Sequence, residues 1–301
     1  MNKPTKYFVI VNPAANRDKA AGQIPALESV LNSQKINYEL VITKAPLHAQ
    51  KLAKEAAAKK VSVVIAAGGD GTVNEVINGL ARSQTALGVI PIGSGNDFSK
   101  MLVLKPEDLQ FAVDIILRHK IKKIDLGLIN NRYFINVAAM GFIGRINQYT
   151  KKSPKFLKGF SMYLYSILKV LIDYYPHHFQ ITARNQNDKT LKFNNDFTLC
   201  SVGNGRYQGE GFRLNPESEI DDGLLDICLV DPVSRLYILR MLSKVIQGTH
   251  GKLSAVNMLK VKEITIKSDQ VIPLHIDGEP VYDQSELKIK VVPQALNIII
   301  P

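Results

Sequence analysis

Four strand-length, mostly apolar runs separated by helical stretches constrain the first part of this chain more than any other feature. The runs are Tyr7–Asn12 (YFVIVN), Tyr38–Thr43 (YELVIT), Val61–Ala67 (VSVVIAA) and Leu87–Ile92 (LGVIPI). Helical patterns run through Leu27 and Leu31, through the strong helix formers of His48–Lys60, and over Asn74–Arg82. Glu107–His119 follows, with Leu109, Val113, Ile116 and Leu117 on one face. A strand apolar on both faces must be covered on both faces, which a parallel sheet between helical layers achieves. After about Ile121 the texture changes. Ile124–Ile129, Asn130-Asn131 and Arg132–Ala138 read as a hairpin. Phe179–Ala183, Phe197–Val202, Leu224–Val230, Val261–Lys267, Val271–Ile276 and Leu287–Val292 read as short strands between polar turns. That pattern suits an antiparallel sandwich or barrel, interrupted by helices over Phe160–Tyr175 and Val233–Gln247. The expectation is an α/β half, residues 1–128, and a mainly β half, residues 129–301, whose C-terminal tail can return to the first.

With 301 residues, 46% of them apolar, the chain can bury one large core or two ordinary ones. Cys200 and Cys228 are too few for a disulfide framework, and their spacing fits neither a redox pair nor a zinc knuckle. Two reduced, buried thiols in a cytoplasmic protein are expected. The net charge of +11 suits nucleic acid, anionic lipid or a phosphorylated ligand, without choosing among them. The apolar run Tyr7–Val11 is too short for a signal peptide, and Gly159–Leu168 is too short to span a bilayer. A soluble protein, or one held at a membrane surface, is expected.

The strongest local signal is Gly68-Gly69-Asp70-Gly71-Thr72, between an apolar strand and a helix. Glycines allow a sharp turn and close backbone approach to a ligand. The following helix offers unpaired N–H groups and its positive dipole end to an anion, and Thr72 adds a hydroxyl. Asp70 would repel phosphate unless a metal ion or a substrate hydroxyl intervenes, which points to metal-assisted phosphoryl chemistry. By itself the loop is equally compatible with an ordinary βα turn. There is no GxxxxGK[ST], no GxGxxG after the first strand, no HExxH and no GxSxG. A second Gly-rich loop, Pro91-Ile92-Gly93-Ser94-Gly95-Asn96-Asp97-Phe98, follows the fourth strand. Loops at the carboxyl ends of neighbouring parallel strands share a crevice where ligands bind. Asn12-Pro13-Ala14-Ala15-Asn16-Arg17 and Thr43 end the first two strands at that same edge, and Arg17 or Lys19 could pair with phosphate. Glu219-Ile220-Asp221-Asp222-Gly223-Leu224-Leu225-Asp226 sets carboxylates and carbonyls around a turn, a donor set for Mg²⁺ or a plain Asp-Gly hairpin. In His275-Ile276-Asp277-Gly278-Glu279, a Glu beyond a strand end could act as general base on an alcohol, or the segment is a plain turn.

Together these segments resemble the diacylglycerol kinase catalytic family of soluble bacterial lipid kinases, related to sphingosine kinases. The likeness takes in Asn12-Pro13, GGDGT with Asn74-Glu75, the NDF loop, Ile124-Asp125-Leu126-Gly127, Gly203–Gly211, Asp222-Gly223-x-Leu225-Asp226 and Asp277-Gly278-Glu279. It covers nearly the whole chain. GGDGT alone is shared with NAD kinases and phosphofructokinases, whereas the ordered set is more specific. The resemblance implies a Rossmann-like N-terminal domain, a β-sandwich second domain and a cleft between them. It implies ATP on Asn12, Pro13, Ala14, Ala15, Asn16, Thr43, Gly68, Gly69, Asp70, Gly71, Thr72, Val73, Asn74 and Ser94. Glu279 looks like the base that takes the proton of the lipid hydroxyl, and Asp70 and Asp97 like carboxylates near the phosphates and a catalytic Mg²⁺. A structural Mg²⁺ would rest on Glu219 and Leu224 (both through backbone), Asp222, and Asp125 through water. Three positions depart from the family pattern: Asn16 stands for a Gly, Ser94 for the usual Thr, and Glu210 interrupts a Gly triplet.

A soluble kinase must still reach its lipid. Thr150–Lys158 (TKKSPKFLK) carries Lys151, Lys152, Lys155 and Lys158 and precedes the helical stretch Phe160–Tyr175. A basic stretch beside an amphipathic helix is an interfacial anchor for anionic phospholipid at the inner face of the membrane, or else a core or homodimer helix with solvated lysines. The rival functions are a kinase of a soluble acceptor such as NAD, and a non-catalytic lipid- or nucleic-acid-binding protein. No RNA-binding aromatic motif is present, and Asp70, Asp97 and Glu279 are all in place.

Overall fold

The computed structural model describes residues 6–16, 18–102, 104, 108–154, 156–157, 159–209 and 211–301. Arg17, Glu107, Lys155, Lys158 and Glu210, all singled out above, lie outside the described residues. The chain divides into two compact units, Met1–Leu126 with Pro293–Pro301, and Gly127–Val292.

In the first unit β1 (Lys6–Val11), α1 (Ile24–Ser33), β2 (Asn37–Ile42), α2 (His48–Ala58), β3 (Val63–Gly68), α3 (Asp70–Leu80) and β4 (Ala86–Pro91) alternate. A short α4 (Asp97–Met101) and α5 (Leu109–Arg118) follow, and β5 (Ile121–Ile129) leads out of the unit. Strands β1 to β4 pair in parallel. β1 lies between β2 and β3, and β4 flanks β3. The chain end pairs parallel with β4 through Asn297 and Ile298, so it completes this sheet. Every residue of β3 and β4 is buried, as apolar runs covered by helices on both faces require. Leu27 and Leu31 of α1 are fully buried. The strand order reverses between β1 and β3, the switch point beside which open α/β sheets bind ligands.

The helix expected over Asn74–Arg82 starts four residues earlier, at Asp70. Asp70 and Gly71 are tolerated there because first-turn N–H groups have no intrahelical partner to lose, and an acidic side chain complements the helix N-terminus. The Gly-rich loop is therefore partly the helix itself.

The second unit contains β6 (Arg132–Phe134), β7 (Val137–Gly141), α6 (Phe142–Thr150), α7 (Gly159–Ile172), β8 (His177–Asn185), β9 (Thr190–Phe197) and β10 (Leu199–Gly203). They are followed by β11 (Leu225–Val230), α8 (Arg235–Gln247), β12 (Val256–Lys267), β13 (Leu274–Ile276), β14 (Glu279–Val281) and β15 (Glu286–Ile299). Pairing here is antiparallel: β14-β13-β7-β10-β11-β12 in order, with β12 also paired to β8 and to the first part of β15. β12 shifts register between Val261 and Glu263. Its first half pairs with β11 and its second half with β8 and β15, so one bent strand joins two layers. One core fills the sandwich and includes Phe134, Phe179, Phe197, Leu225, Ile264 and Leu287. A second core packs α6, α7 and α8 against the sheet through Phe142, Ile146, Ile167, Val170, Ile238 and Met241.

Three expectations change here. Arg132–Ala138 is two strands. The backbone of Ile135, Asn136 and Val137 is turned out of the ladder to donate to the Asp277 carboxylate. α6 carries Phe142, Ile143, Ile146 and Tyr149 on one face at helical spacing, and it lies so close to Pro273 that a Cβ on Gly144 would stand 2.0 Å from that residue's carbonyl oxygen. β9, rich in Asn and Asp, owes its extension to eight residue pairs with β8 rather than to propensity.

Candidate active site

In the first unit three loops at the carboxyl edge of the sheet are tied to one another. Asn12 Nδ2 donates to Thr72 Oγ1 at 3.0 Å, and Asn12 Oδ1 accepts from Ala14 N at 3.1 Å. The end of β1 is thus linked to the first turn of α3. Ser94 Oγ donates to Asn16 Oδ1 at 3.1 Å, which links the β1 loop to the β4 loop. Asp70 Oδ1 accepts from Phe98 N at 3.1 Å, joining the two Gly-rich loops. Those loops also meet through backbone: a Cβ on Gly93 would lie 2.2 Å from Gly69 Cα. Asn96 holds the second loop closed, with Gly93 N donating to its Oδ1 and its Nδ2 donating to Gly93 O.

The Asn16 departure has a direct explanation. Asn16 has φ +52, a left-handed conformation that Gly adopts freely and that Asn tolerates best among the other residues. It keeps the turn and adds the bond to Ser94. Thr43 closes β2, with its N–H on Val11 O at 2.8 Å. Thr72 and Asn74 are buried, so they shape the loop from within. Glu75, adjacent to the motif, accepts from Leu47 N and Ala49 N and thereby caps α2. No local pattern marks that role, because its partners lie 28 and 26 residues away. Asp97 is buried at the start of α4 and receives Lys100 Nζ at 2.8 Å. Asp70 and Asp97 are hard oxygen donors on linked loops, the chemistry Mg²⁺ takes. Asp125 is buried, and its Oδ1 accepts from Gln294 N at 2.7 Å.

In the second unit Glu279 opens β14, directly after the turn Asp277-Gly278. The turn is held from several sides. Asp277 is buried, with Oδ1 accepting from Asn136 N and Val137 N and Oδ2 from Ile135 N, all at 2.9 Å. Asn147 Nδ2 donates to Gly278 O at 2.9 Å. Gly278 N donates to His275 Nδ1 at 3.3 Å. Burial pushes His275 down to about 3, so its ring is neutral at physiological pH. Glu279 itself is about half exposed, and Lys151 Nζ lies 3.2 Å from its Oε2. Lys151, expected to face lipid, is thus paired with the proposed base.

Among the residues expected at a structural Mg²⁺, Asp222 accepts from Leu224 N through Oδ1 and from Lys260 Nζ, 2.7 Å away, through Oδ2. Lys260 also lies 3.7 Å from Asp226 Oδ2. The carboxylates of this turn are arranged around an ammonium. Burial raises the pKa of Asp226, against the opposing pull of Lys260. Among the described residues no group of three or more His, Cys, Asp or Glu is gathered to hold a metal ion.

Between the sheet and its helices lies a narrow apolar cavity of about 50 Å³ that opens to solvent. Phe142, Ile146, Ile167, Phe212, Met241 and Val245 supply much of its wall, and Asn147 and Gln208 are among its few polar residues.

The chain thus combines a parallel α/β unit with linked glycine-rich loops and, following in sequence, a β-sandwich unit with an acidic turn. Family comparison makes this specific. Residues 6–129 match the model of the diacylglycerol kinase catalytic domain, and residues 136–300 that of the YegS C-terminal NAD kinase beta sandwich-like domain. A relative from Chromohalobacter salexigens, described as "Probable lipid kinase YegS-like", is 33% identical over 256 residues, covering 83% of this chain and 80% of that protein. A diacylglycerol kinase from Staphylococcus aureus is 30% identical over 279 residues, covering 90% and 85%. The crystal structure of a diacylglycerol kinase from Bacillus anthracis str. Sterne superposes with a TM-score of 0.73 at 23% identity, covering 100% of this chain and 98% of that one. The chain belongs to the diacylglycerol kinase catalytic-domain family of lipid kinases.

Proposed function

We propose that this kinase transfers the γ-phosphoryl group of ATP to the free hydroxyl of a diacylglycerol, giving phosphatidic acid and ADP. The observation that carries the lipid acceptor is the apolar cavity of the second unit, whose polar residues Asn147 and Gln208 lead to the turn that bears Glu279. A soluble, charged acceptor such as NAD would have no use for such walls, whereas an acyl chain gains from every methylene buried.

In this reading the Gly68–Val73 backbone binds phosphate oxygens, with Thr72, Asn12, Asn16 and Ser94 fixing the loops. Mg²⁺, when held by Asp70 and Asp97, would neutralise charge on the transferring group. Glu279 takes the hydroxyl proton as the acceptor oxygen bonds to phosphorus and the bond to the β-phosphate oxygen breaks.

Access from a membrane surface suits the outer side of the helices. Leu164, Leu168 and Ile172 form an exposed stripe at i, i+4, i+8 on α7, and Phe156 beside it is 79% exposed. With Lys152 on the preceding turn, this gives a peripheral contact with anionic phospholipid. No described helix is long and apolar enough to cross a membrane. The test is radiolabelled ATP with diacylglycerol, sphingosine, NAD or no acceptor. Labelled phosphatidic acid is expected, lost in Glu279→Ala and Asp97→Ala. Label in NAD alone, or full activity in either variant, would overturn the reading. Flotation with anionic vesicles tests the surface contact, with Leu168→Glu/Ile172→Glu expected to reduce it.

A further inference from the structure

Gly278 immediately precedes Glu279, and both of its backbone polar groups are held by side chains linked to the apolar cavity. Its carbonyl accepts from Asn147, a cavity-lining residue that is 4% exposed. Its N–H donates to His275 Nδ1, and His275 Nε2 lies 2.7 Å from the side-chain amide of Gln208, which also lines the cavity. The proton placement follows from the bonds. With Nδ1 accepting, a neutral imidazole carries its proton on Nε2. That proton needs an acceptor, and Gln208 Oε1 is the buried atom without a partner while its Nε2 points at the ring. Rotating the amide by a half turn, an exchange of O and N, satisfies both. The chain Gln208 Oε1, His275 Nε2–H, His275 Nδ1, Gly278 N–H is then complete.

The cavity end of this chain lies on the cavity wall. Gln208 sits on a turn closed by its reciprocal backbone bonds with Phe212. Gly209 of that turn packs against Tyr163 of α7, and the Tyr163 and Phe212 rings lie 6.1 Å apart. All of these residues line the cavity. Asn147 Oδ1 is buried without a partner.

We propose that Asn147 and Gln208, the latter through His275, are positioning residues that couple occupation of the cavity by an acyl chain to the orientation of the Glu279 turn. The inference rests on the reading that an acyl chain enters this cavity. It makes chain length a determinant of turnover rather than of binding alone, since remote binding energy is then used to orient the reacting group.

The test compares 1,2-dioctanoylglycerol with 1,2-dibutyrylglycerol in wild type, Asn147→Ala, Gln208→Met and Gln208→Glu. The wild-type kcat is expected to be about tenfold higher on the longer substrate. Asn147→Ala and Gln208→Met lower kcat on the longer substrate to near the short-chain value, with KM changed less than about threefold. Gln208→Glu keeps an acceptor for His275 and restores the chain-length dependence. Variants that keep the wild-type ratio would overturn the coupling while leaving lipid phosphorylation intact. Failure of wild type to phosphorylate either lipid would instead sink the proposed function. A second readout is independent of turnover: amide exchange of the 275–281 segment slows in dioctanoylglycerol micelles for wild type and not for Gln208→Met. No slowing in wild type overturns the inference.

Discussion

Asp277→Ala is the most informative single change in the second unit. The Asp277 carboxylate is buried and accepts three backbone N–H groups, from Ile135, Asn136 and Val137, each at 2.9 Å. Alanine leaves three donors without that acceptor, at about 1–3 kcal/mol for each one left unsatisfied. It also places an ordinary Cβ at φ +46, which costs about 1–2 kcal/mol more relative to a residue that tolerates the left-handed region. Water entering at the turn recovers part of this, so the expected loss is about 3–5 kcal/mol. Asp277→Asn separates the terms. Asn tolerates the backbone conformation and keeps Oδ1 for two of the donors, but it turns an NH₂ group toward Ile135 N–H. Its expected cost is about 1–3 kcal/mol. The assay is urea unfolding followed by far-ultraviolet circular dichroism, with the transition of Gly127–Val292 read separately. At an m-value of about 3 kcal/mol/M the alanine variant moves that midpoint down by about 1–1.7 M. Turnover should fall in the same order, alanine below asparagine below wild type, because the turn carries Glu279. An alanine variant within about 1 kcal/mol of wild type would refute the view that this carboxylate holds the turn.

Other expectations follow from single contacts. Gly93→Ala drives a Cβ into Gly69, so it should weaken ATP binding at least tenfold by equilibrium dialysis. Lys260→Met removes the ammonium between Asp222 and Asp226, and its melting temperature should become dependent on millimolar Mg²⁺ in scanning calorimetry, whereas that of wild type should not. His275 is held neutral by burial, down to about 3, against about 6.5 in an unfolded chain. The unfolded state therefore binds the extra proton below about pH 6.5, so this stabilisation is complete above that value and is lost as pH falls toward 3. By pH 5 the loss is about 2 kcal/mol for this residue, seen as a falling urea midpoint. His177, lowered to about 4 by burial and then by Arg145, acts in the same direction.

Local signals made the first unit legible. The runs that became β1, β2, β3 and β4 were apolar because helices cover both faces of a parallel sheet, and the loops were glycine-rich because backbones there approach within contact of one another. The second unit was read less fully. β9, rich in Asn and Asp, owes its extension to its hairpin partner β8 rather than to an apolar pattern of its own. The site divides in the same way. Glu279 and Asp97 were visible as carboxylates beside glycine turns, but Asn147 and His275 carry no motif. Asn147 acts on a carbonyl 131 residues away, a pairing that exists only once the β7 edge receives β13. Lys151 shows the limit most sharply. In sequence it belongs to a basic run, and in the structure its ammonium faces Glu279.

That pairing also bears on how the proposed base is oriented. Glu279 is half exposed, and its ion pair with an equally exposed lysine contributes about 0–1 kcal/mol and weakens with salt. Such a contact cannot fix a carboxylate to the few tenths of an ångström that proton transfer requires. The order must come from the backbone immediately before it. Asp277 is clamped by three N–H groups, Gly278 is held through both its N–H and its carbonyl, and β14 pairs back on β13 at Ile276 and Glu279. A turn held in this way suits the proposed role of Glu279: the carboxylate stays open to an arriving hydroxyl, while its aim is set by the bonds behind it, the three to Asp277 buried.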